Sequence, residues 1–244
     1  MNELERFESE VEANIDSLHS DADVQALSRI WLREITRHKY AYNFRWMGRP
    51  IIQFPQDMIA MQELIWEIKP DLIIETGVAH GGSVLYYASL LELIGGDGYV
   101  LGVDVDIRSH NRLEIEKHPM SKRLHLLQGS SVDSAIVKQV AEHARGKENV
   151  LVILDSNHTH EHVLAELHAY SPFVTKGSYL VVFDTLLEDM PDDLLGERSW
   201  GRGNNPKTAV HEFIKENKRF EIDCRLVSKL LITVAPDGYL RCLR

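Results

Sequence analysis

Four acids close apolar runs at matching places in this chain: Glu75 after Leu72-Ile73-Ile74, Asp104 in V-L-G-V-D, Asp155 after V-L-V-I-L, and Asp184 after Y-L-V-V-F. If those runs are parallel strands, the four carboxylates collect in the crevice at the carboxyl ends of the strands. Like charges gathered there raise each other's pKa unless a cation or hydrogen-bond donors neutralise them. The pattern points to a cationic ligand, a metal, or both. Glu75 leads into T-G-V-A-H-G-G-S, with glycines at 77, 81 and 82 and helical spacing directly after. A strand, a glycine turn and a helix present backbone N–H groups to a small molecule. The spacing excludes the G-x-G-x-x-G dinucleotide fingerprint and the G-K-[ST] triphosphate loop. An acid before the first glycine suits a ligand that carries an ammonium group. Asp104 is placed to accept both ribose hydroxyls of a nucleoside, whereas helix capping fits Asp106 better. Gly129 and Ser130 could line an adenine pocket, or Ser130 or Ser131 could only cap the next helix.

The segment Asp155-Ser-Asn-His-Thr-His-Glu-His162 is the richest in reactive side chains. One reading is a metal site built from Asp155 with His158, His160 or His162. Another has Asp155 and Asp184 holding a hard cation such as Mg²⁺ or Mn²⁺, which oxygen ligands without thiolates favour, with a histidine left as general base. His160 and His162 also read as solvent-facing or capping residues of the helix that follows.

The elements that must position these groups alternate. Strands are expected at 71–76, 99–105, 123–128, 150–155 and 178–184, with helical segments between most of them, which gives a parallel sheet covered on both faces. Three further strands are expected at 220–226, 229–235 and 239–243, the last two joined as an antiparallel hairpin through Pro236-Asp237-Gly238. The fold class is therefore α/β, a doubly wound Rossmann-like sheet. Residues 1–69 read as a helical N-terminal cap or oligomer segment: Leu4, Phe7, Val11, Ile15 and Leu18 keep a 3.6 period, a second helix starts near Asp21, an aromatic tract runs from Tyr40 to Trp46, and another helix spans 55–68. Residues 70–244 form the main domain. Its stretch from 185 to 206 is long for a compact fold and reads as a lid, Trp200 being suited to closing on something.

Composition narrows the function. The chain has 244 residues, enough for one full α/β domain, and a net charge of −10, which disfavours nucleic acid and anionic membranes as partners. No stretch approaches the roughly 20 apolar residues needed to span a bilayer, and the acidic, polar N-terminus is unlike a signal peptide. The expectation is a cytoplasmic protein whose two cysteines, Cys224 and Cys242, are packing residues.

A strand ending in an acid and followed by G-x-x-x-G-x-S resembles the first motif of S-adenosylmethionine-dependent methyltransferases. The likeness extends further. Y-A-Y-N-F-R-W-M-G-R-P-I-I-Q-F-P-Q-D (40–57), the glycine loop, D-S-N-H-T-H-E-H-V and N-N-P-K-T-A-V-H-E-F together resemble the cephalosporin hydroxylase family over about residues 40–240. Despite that name, the resemblance implies S-adenosylmethionine-dependent, Mg²⁺-assisted O-methyltransferases, among them rhamnosyl O-methyltransferases. By position it implies Glu75, Gly77, Ala79, Gly81 and Ser83 as the cofactor loop, Asp104 as the ribose ligand, and Gly129, Ser130 and Asp155 as further cofactor contacts. Asp155 and Asp184 fall at the metal carboxylates, and His158 stands three residues after the first of them, where catechol-type enzymes place a basic residue. Those enzymes have Asn directly after the second aspartate; here Thr185 takes the place and is expected as a metal ligand, with Glu188 or water as other sources.

The function expected is therefore S-adenosylmethionine-dependent O-methyl transfer to a hydroxyl of a sugar or glycosylated metabolite by a homo-oligomer, with Asp155 and His158 as catalytic residues. Two alternatives compete. One is an iron-dependent hydroxylase using Asp155 in a facial triad with histidines. The other is a non-catalytic cofactor-binding partner of a tailoring enzyme.

Overall fold

Asn2 and Asp21 each turn a side-chain oxygen onto the first N–H groups of a helix, and so start α1 (Glu3–Ser20) and α2 (Ala22–Arg37). The computed structural model describes residues 1–244, the side chain of Leu195 excepted. Only part of the expected apolar face of α1 is used: Ile15 is buried, whereas Leu4 and Phe7 remain exposed. A small antiparallel pair follows, β1 (Phe44–Trp46) with β2 (Arg49–Ile51), then α3 (Pro55–Ile68).

From there strand and helix alternate through β3 (Leu72–Thr76), α4 (Gly82–Ile94), β4 (Tyr99–Asp104), α5 (Ser109–Glu116), β5 (Leu124–Gln128), α6 (Ser134–Ala144), β6 (Val150–Leu154), α7 (His160–Tyr170) and β7 (Tyr179–Val182). After β7 come α8 (Asp192–Leu195), α9 (Pro206–Glu216), β8 (Phe220–Ile222), α10 (Cys224–Leu230) and β9 (Tyr239–Cys242). The seven-stranded sheet has the order β5-β4-β3-β6-β7-β9-β8, parallel through β7 and antiparallel at β9.

Strand alternation sorts the core. Ile73, Val100, Leu151, Ile153 and Val181 face α3, α4 and the segment around Ile51–Phe54. Leu72, Ile74, Leu101, Val152 and Val182 face α6, α7 and α9. Both faces are covered, so the central strands read as continuous apolar runs. Each such buried Leu, Ile or Val stabilises the fold by about 1.5–3 kcal/mol. Strand order reverses between β3 and β6, and a crevice opens where those neighbours end.

The C-terminal hairpin differs from expectation. β9 lies between β7 and β8 and pairs antiparallel with both. Residues 224–230 are the helix α10, and 229–235 is no strand. Asp223 explains the change: its carboxylate accepts from Leu226 N–H at 2.9 Å and starts a helix. The apolar stretch after it then gives Val234 N–H to Asp57 at 2.9 Å instead of to a strand neighbour. Cys224, at the start of α10, is exposed rather than a packing residue, and Cys242 is buried; both are free thiols. Among the described residues no helix is long and apolar enough to cross a membrane.

Candidate active site

The glycine loop sits where β3 ends, and its glycines are needed for space. Gly77 has φ +93°, and a Cβ there would lie 1.9 Å from the carbonyl oxygen of Asp155 at the end of β6. At Gly82 a Cβ would lie 2.0 Å from the Pro50 carbonyl, so β2 packs directly on the start of α4. The loop is held from several sides. Val78 and Ala79 N–H donate to Asp104 Oδ2 at 2.8 and 3.0 Å. Arg49 donates to the His80 carbonyl at 2.7 and 3.0 Å, and Asn111 to the Ala79 carbonyl at 3.1 Å. The segment from Tyr42 to Gln53 thus serves as one wall of the crevice, beside Gly77, Ala79, Ser83, Asp155, His158 and Asp184.

The four strand-end acids do not all share this space. Asp155 and Asp184 line it. Asp104 opens instead on an adjoining cleft with Ala79, His80, Asp106, Arg108 and Asn111. Its other oxygen accepts from Asp106 N–H at 3.0 Å, so backbone donors offset its charge. Glu75 is fully buried, and neither of its oxygens has a hydrogen-bond partner among the described residues. Burial drives its pKa up to about 8; the nearby Ser83 hydroxyl tempers that rise without reaching hydrogen-bond geometry, and the Asp104 charge adds to it. Gly129 N–H donates to the Asp104 carbonyl at 2.9 Å and its Cα abuts Ile136. Neither Gly129 nor Ser130 lines the two clefts.

Asp155, His158 and Asp184 come together, each offering one ligand atom, all within 4.8 Å of one another. His158 Nε2 lies 3.2 Å from Asp184 Oδ2. Asp184 reaches this position from a left-handed backbone conformation, φ 56°. Burial, with the charges of Asp184, Glu75 and Glu166, holds the Asp155 carboxyl well above the usual carboxylate range. Trp200, from the long stretch after β7, meets the His158 ring edge-on at 5.0 Å.

Three expected residues fall elsewhere. Thr185 does not line the crevice: it is fully buried, and its hydroxyl donates to the Pro236 carbonyl at 2.6 Å. His160 pairs with Thr208 Oγ1 at 2.8 Å and Glu212 at 3.2 Å, fixing α7 to α9. His162 Nε2 lies 3.1 Å from Ser131 Oγ and 3.6 Å from the buried Glu166. Among the described residues the two-histidine, one-carboxylate set of a facial triad is not assembled: the cluster holds one histidine and two aspartates, and His160 and His162 are engaged elsewhere. Sequence reasoning missed Gln53, His80 and Tyr42 as wall residues. The place of Tyr42 and Gln53 depends on the β1–β2 pair folding over the loop, for which the aromatic tract was the available signal, while His80 belongs to the glycine loop itself.

The fold is that of known methyltransferases. The apo structure of CmcI superposes with a TM-score of 0.58 at 20% identity, covering 83% of this chain and 77% of that one. An O-methyltransferase from Bacillus cereus in complex with SAH gives 0.51 at 14%, covering 80% and 81%. Fold and sequence relatives together define the class, an S-adenosylmethionine-dependent O-methyltransferase. Rhamnosyl O-methyltransferases of Mycobacterium bovis and Mycobacterium tuberculosis are 33% identical over 216 residues, 83% of this chain and 82% of theirs. That of Mycobacterium leprae is 34% identical over 215 residues, 83% of this chain and 87% of its own. The family model described as Rhamnosyl O-methyltransferase/CmcI matches residues 38–243, and the chain belongs to that family.

Proposed function

We propose that this enzyme methylates a hydroxyl of a sugar or glycosylated small molecule, with a divalent cation, Mg²⁺ by preference, held by Asp155 and Asp184. The carrying observation is the Asp155–His158–Asp184 cluster at the switch point of the sheet. The relatives' name, rhamnosyl O-methyltransferase, supports a sugar acceptor, and a CmcI structure with Mg and SAM supports the metal.

The residues present fit both groups. Two carboxylates and an imidazole, with no thiolate, suit a hard divalent cation. The orphaned oxygens of Glu75 call for a cationic donor, and Gly77 lets the loop lie directly against the Asp155 backbone. When bound, the metal supplies Lewis-acid stabilisation of a developing alkoxide. Everything else falls to the chain. With Nε2 turned to Asp184, the His158 imidazole has Nδ1 left to take the acceptor's proton. Ser83 and the loop N–H groups would orient the cofactor from below, while Asp104 would receive its ribose hydroxyls. The stretch 185–206 would act as a lid through Trp200, excluding water above His158.

Labelled S-adenosylmethionine, offered with a panel of glycosides and nucleotide sugars in Mg²⁺ and in EDTA, tests this reading. Label in an acceptor, lost in EDTA, is the expected result; folded protein that binds no S-adenosylmethionine overturns it. The distance to Asp184 also favours a second role for His158, as third metal ligand. Mn²⁺ affinity of His158→Gln decides: unchanged if the residue is the base, lowered at least tenfold if it is a ligand.

A further inference from the structure

The floor of the crevice holds more acceptors than the glycine motif explains. Ser83 and Tyr87 stand one helical turn apart on α4, and both neighbour Glu75. Gln53, between β2 and α3, is 1% exposed. It donates Nε2–H to the Tyr87 hydroxyl at 3.1 Å, which leaves Oε1 as the end that faces away. Its Oε1 has no hydrogen-bond partner among the described residues, as is true of both oxygens of Glu75. Gln53 and Ser83 line the crevice directly.

A buried acceptor left unpaired destabilises the fold, more so when charged. Three such atoms around Tyr87 therefore identify what belongs there: a compact cation with several N–H donors. An ammonium group has three N–H donors and one positive charge, matching one carboxylate and one amide oxygen. A ligand carboxylate would face the Gln53 oxygen and the two Glu75 oxygens, and a hydroxyl has a single proton to give.

We infer that Gln53 Oε1, together with Glu75, receives the α-ammonium of the methionine end of S-adenosylmethionine, which makes Gln53 a specificity residue for the cofactor's amine. This rests on the methyltransferase reading above. Gln53 comes from outside the glycine motif, so the segment that precedes the first strand of the main sheet selects the cofactor as well as covering it. The same amide fixes Tyr87, and a rigid acceptor discriminates better than a mobile one.

Calorimetry with S-adenosylhomocysteine and with its analogue lacking the α-amine, both in EDTA, separates the outcomes. Wild type should prefer the amine-bearing ligand at least tenfold. Gln53→Met should bind S-adenosylhomocysteine at least tenfold more weakly and the deaminated analogue within twofold of wild type. Binding of the analogue also shows that the variant is folded. Should Gln53→Met not fold, Gln53→Asn withdraws the oxygen by one methylene and should cut the amine preference about fivefold. An equal loss for both ligands, or no loss for either, overturns the assignment of Gln53. If wild type binds neither ligand, the methyltransferase reading itself fails, and the inference with it.

Discussion

Asp57 and Glu75 are both completely buried, and the chain treats them in opposite ways. Asp57 opens helix α3 and collects donors: the Thr233 hydroxyl, Val234 N–H at 2.9 Å and the Tyr239 hydroxyl at 2.7 Å. Glu75 ends β3, and no donor among the described residues reaches it. Both pKa values are raised chiefly by burial, Asp57 to about 6 and Glu75 to about 8, and the difference follows the donors. A buried carboxylate with its partners supplied by the fold is a structural tie. One without them is an acceptor held in readiness for something else. Asp57 ties α3 to the irregular segment that replaced the expected strand, and that segment supports the chain after Asp184: Leu186 N–H donates to the Val234 carbonyl at 3.2 Å.

The largest effect expected from this contrast concerns pH and Glu75. Its folded pKa lies above the ordinary value of 4.5, so the folded chain keeps a proton that the unfolded chain releases. Its contribution to stability is fully present below pH 4.5 and declines as pH rises to about 8. At 1.36 kcal/mol per unit, the whole swing is about 4–5 kcal/mol. Urea unfolding of the ligand-free protein from pH 5 to 8 should show that decline, and Glu75→Gln should flatten part of it, the raised carboxyls of Asp155 and Asp57 keeping the rest, while weakening S-adenosylhomocysteine binding. A variant with an unchanged pH slope would remove Glu75 from this role. Asp57→Asn should do the reverse. Its amide nitrogen would face hydroxyl and N–H donors, a loss of about 3 kcal/mol at pH 7, with cofactor affinity unchanged in whatever remains folded. If the two variants were equally destabilising at pH 8, the distinction between tie and acceptor would collapse.

The same distinction explains what could be read from the sequence. The β3 run, the acid, the glycines and the helix after them are contiguous, so local pattern carried both the strand and the loop, as it did for the parallel half of the sheet. The segment from 223 to 239 was not legible in this way. A β-rich apolar run looks like a strand until Asp223 caps a helix and Asp57, 177 residues away in sequence, takes the backbone N–H. The roles of the three histidines were left open for a similar reason. His158, His160 and His162 are alike in local sequence, and what sorts them is Asp184 for the first, Thr208 and Glu212 for the second, and Ser131 and Glu166 for the third. Gln53 was invisible because nothing local marks an amide whose oxygen is left over.

Trp200 extends the comparison to a donor. Its indole Nε1 is buried without a partner among the described residues, beside His158. By the logic of Glu75 that N–H is expected to serve the acceptor molecule rather than the fold. Trp200→Phe keeps an aromatic edge on His158, so stability should change by less than about 0.5 kcal/mol. Acceptor kcat/KM should fall about tenfold, equivalent to about 1.4 kcal/mol, with S-adenosylhomocysteine affinity preserved. A stability loss above 1 kcal/mol would place Trp200 with the ties instead.

Thr185 is the counterpart on the satisfied side, and its effect should be the smallest. Position next to Asp184 made it an expected metal ligand, but its hydroxyl proton is given to the Pro236 carbonyl, which fastens the chain after Asp184 to the turn before β9. Thr185→Val keeps the shape and removes one buried hydrogen bond, leaving a carbonyl unpaired, at about 1 kcal/mol. Mn²⁺ affinity measured by electron paramagnetic resonance should stay within twofold of wild type, while Asp184→Asn lowers it at least tenfold. Were Thr185→Val to weaken Mn²⁺ as strongly as Asp184→Asn does, the hydroxyl would have to turn from Pro236 toward the cation when metal binds. Its hydrogen bond would then be a resting position, and the separation between groups completed by the fold and groups completed by a ligand would not hold at this residue.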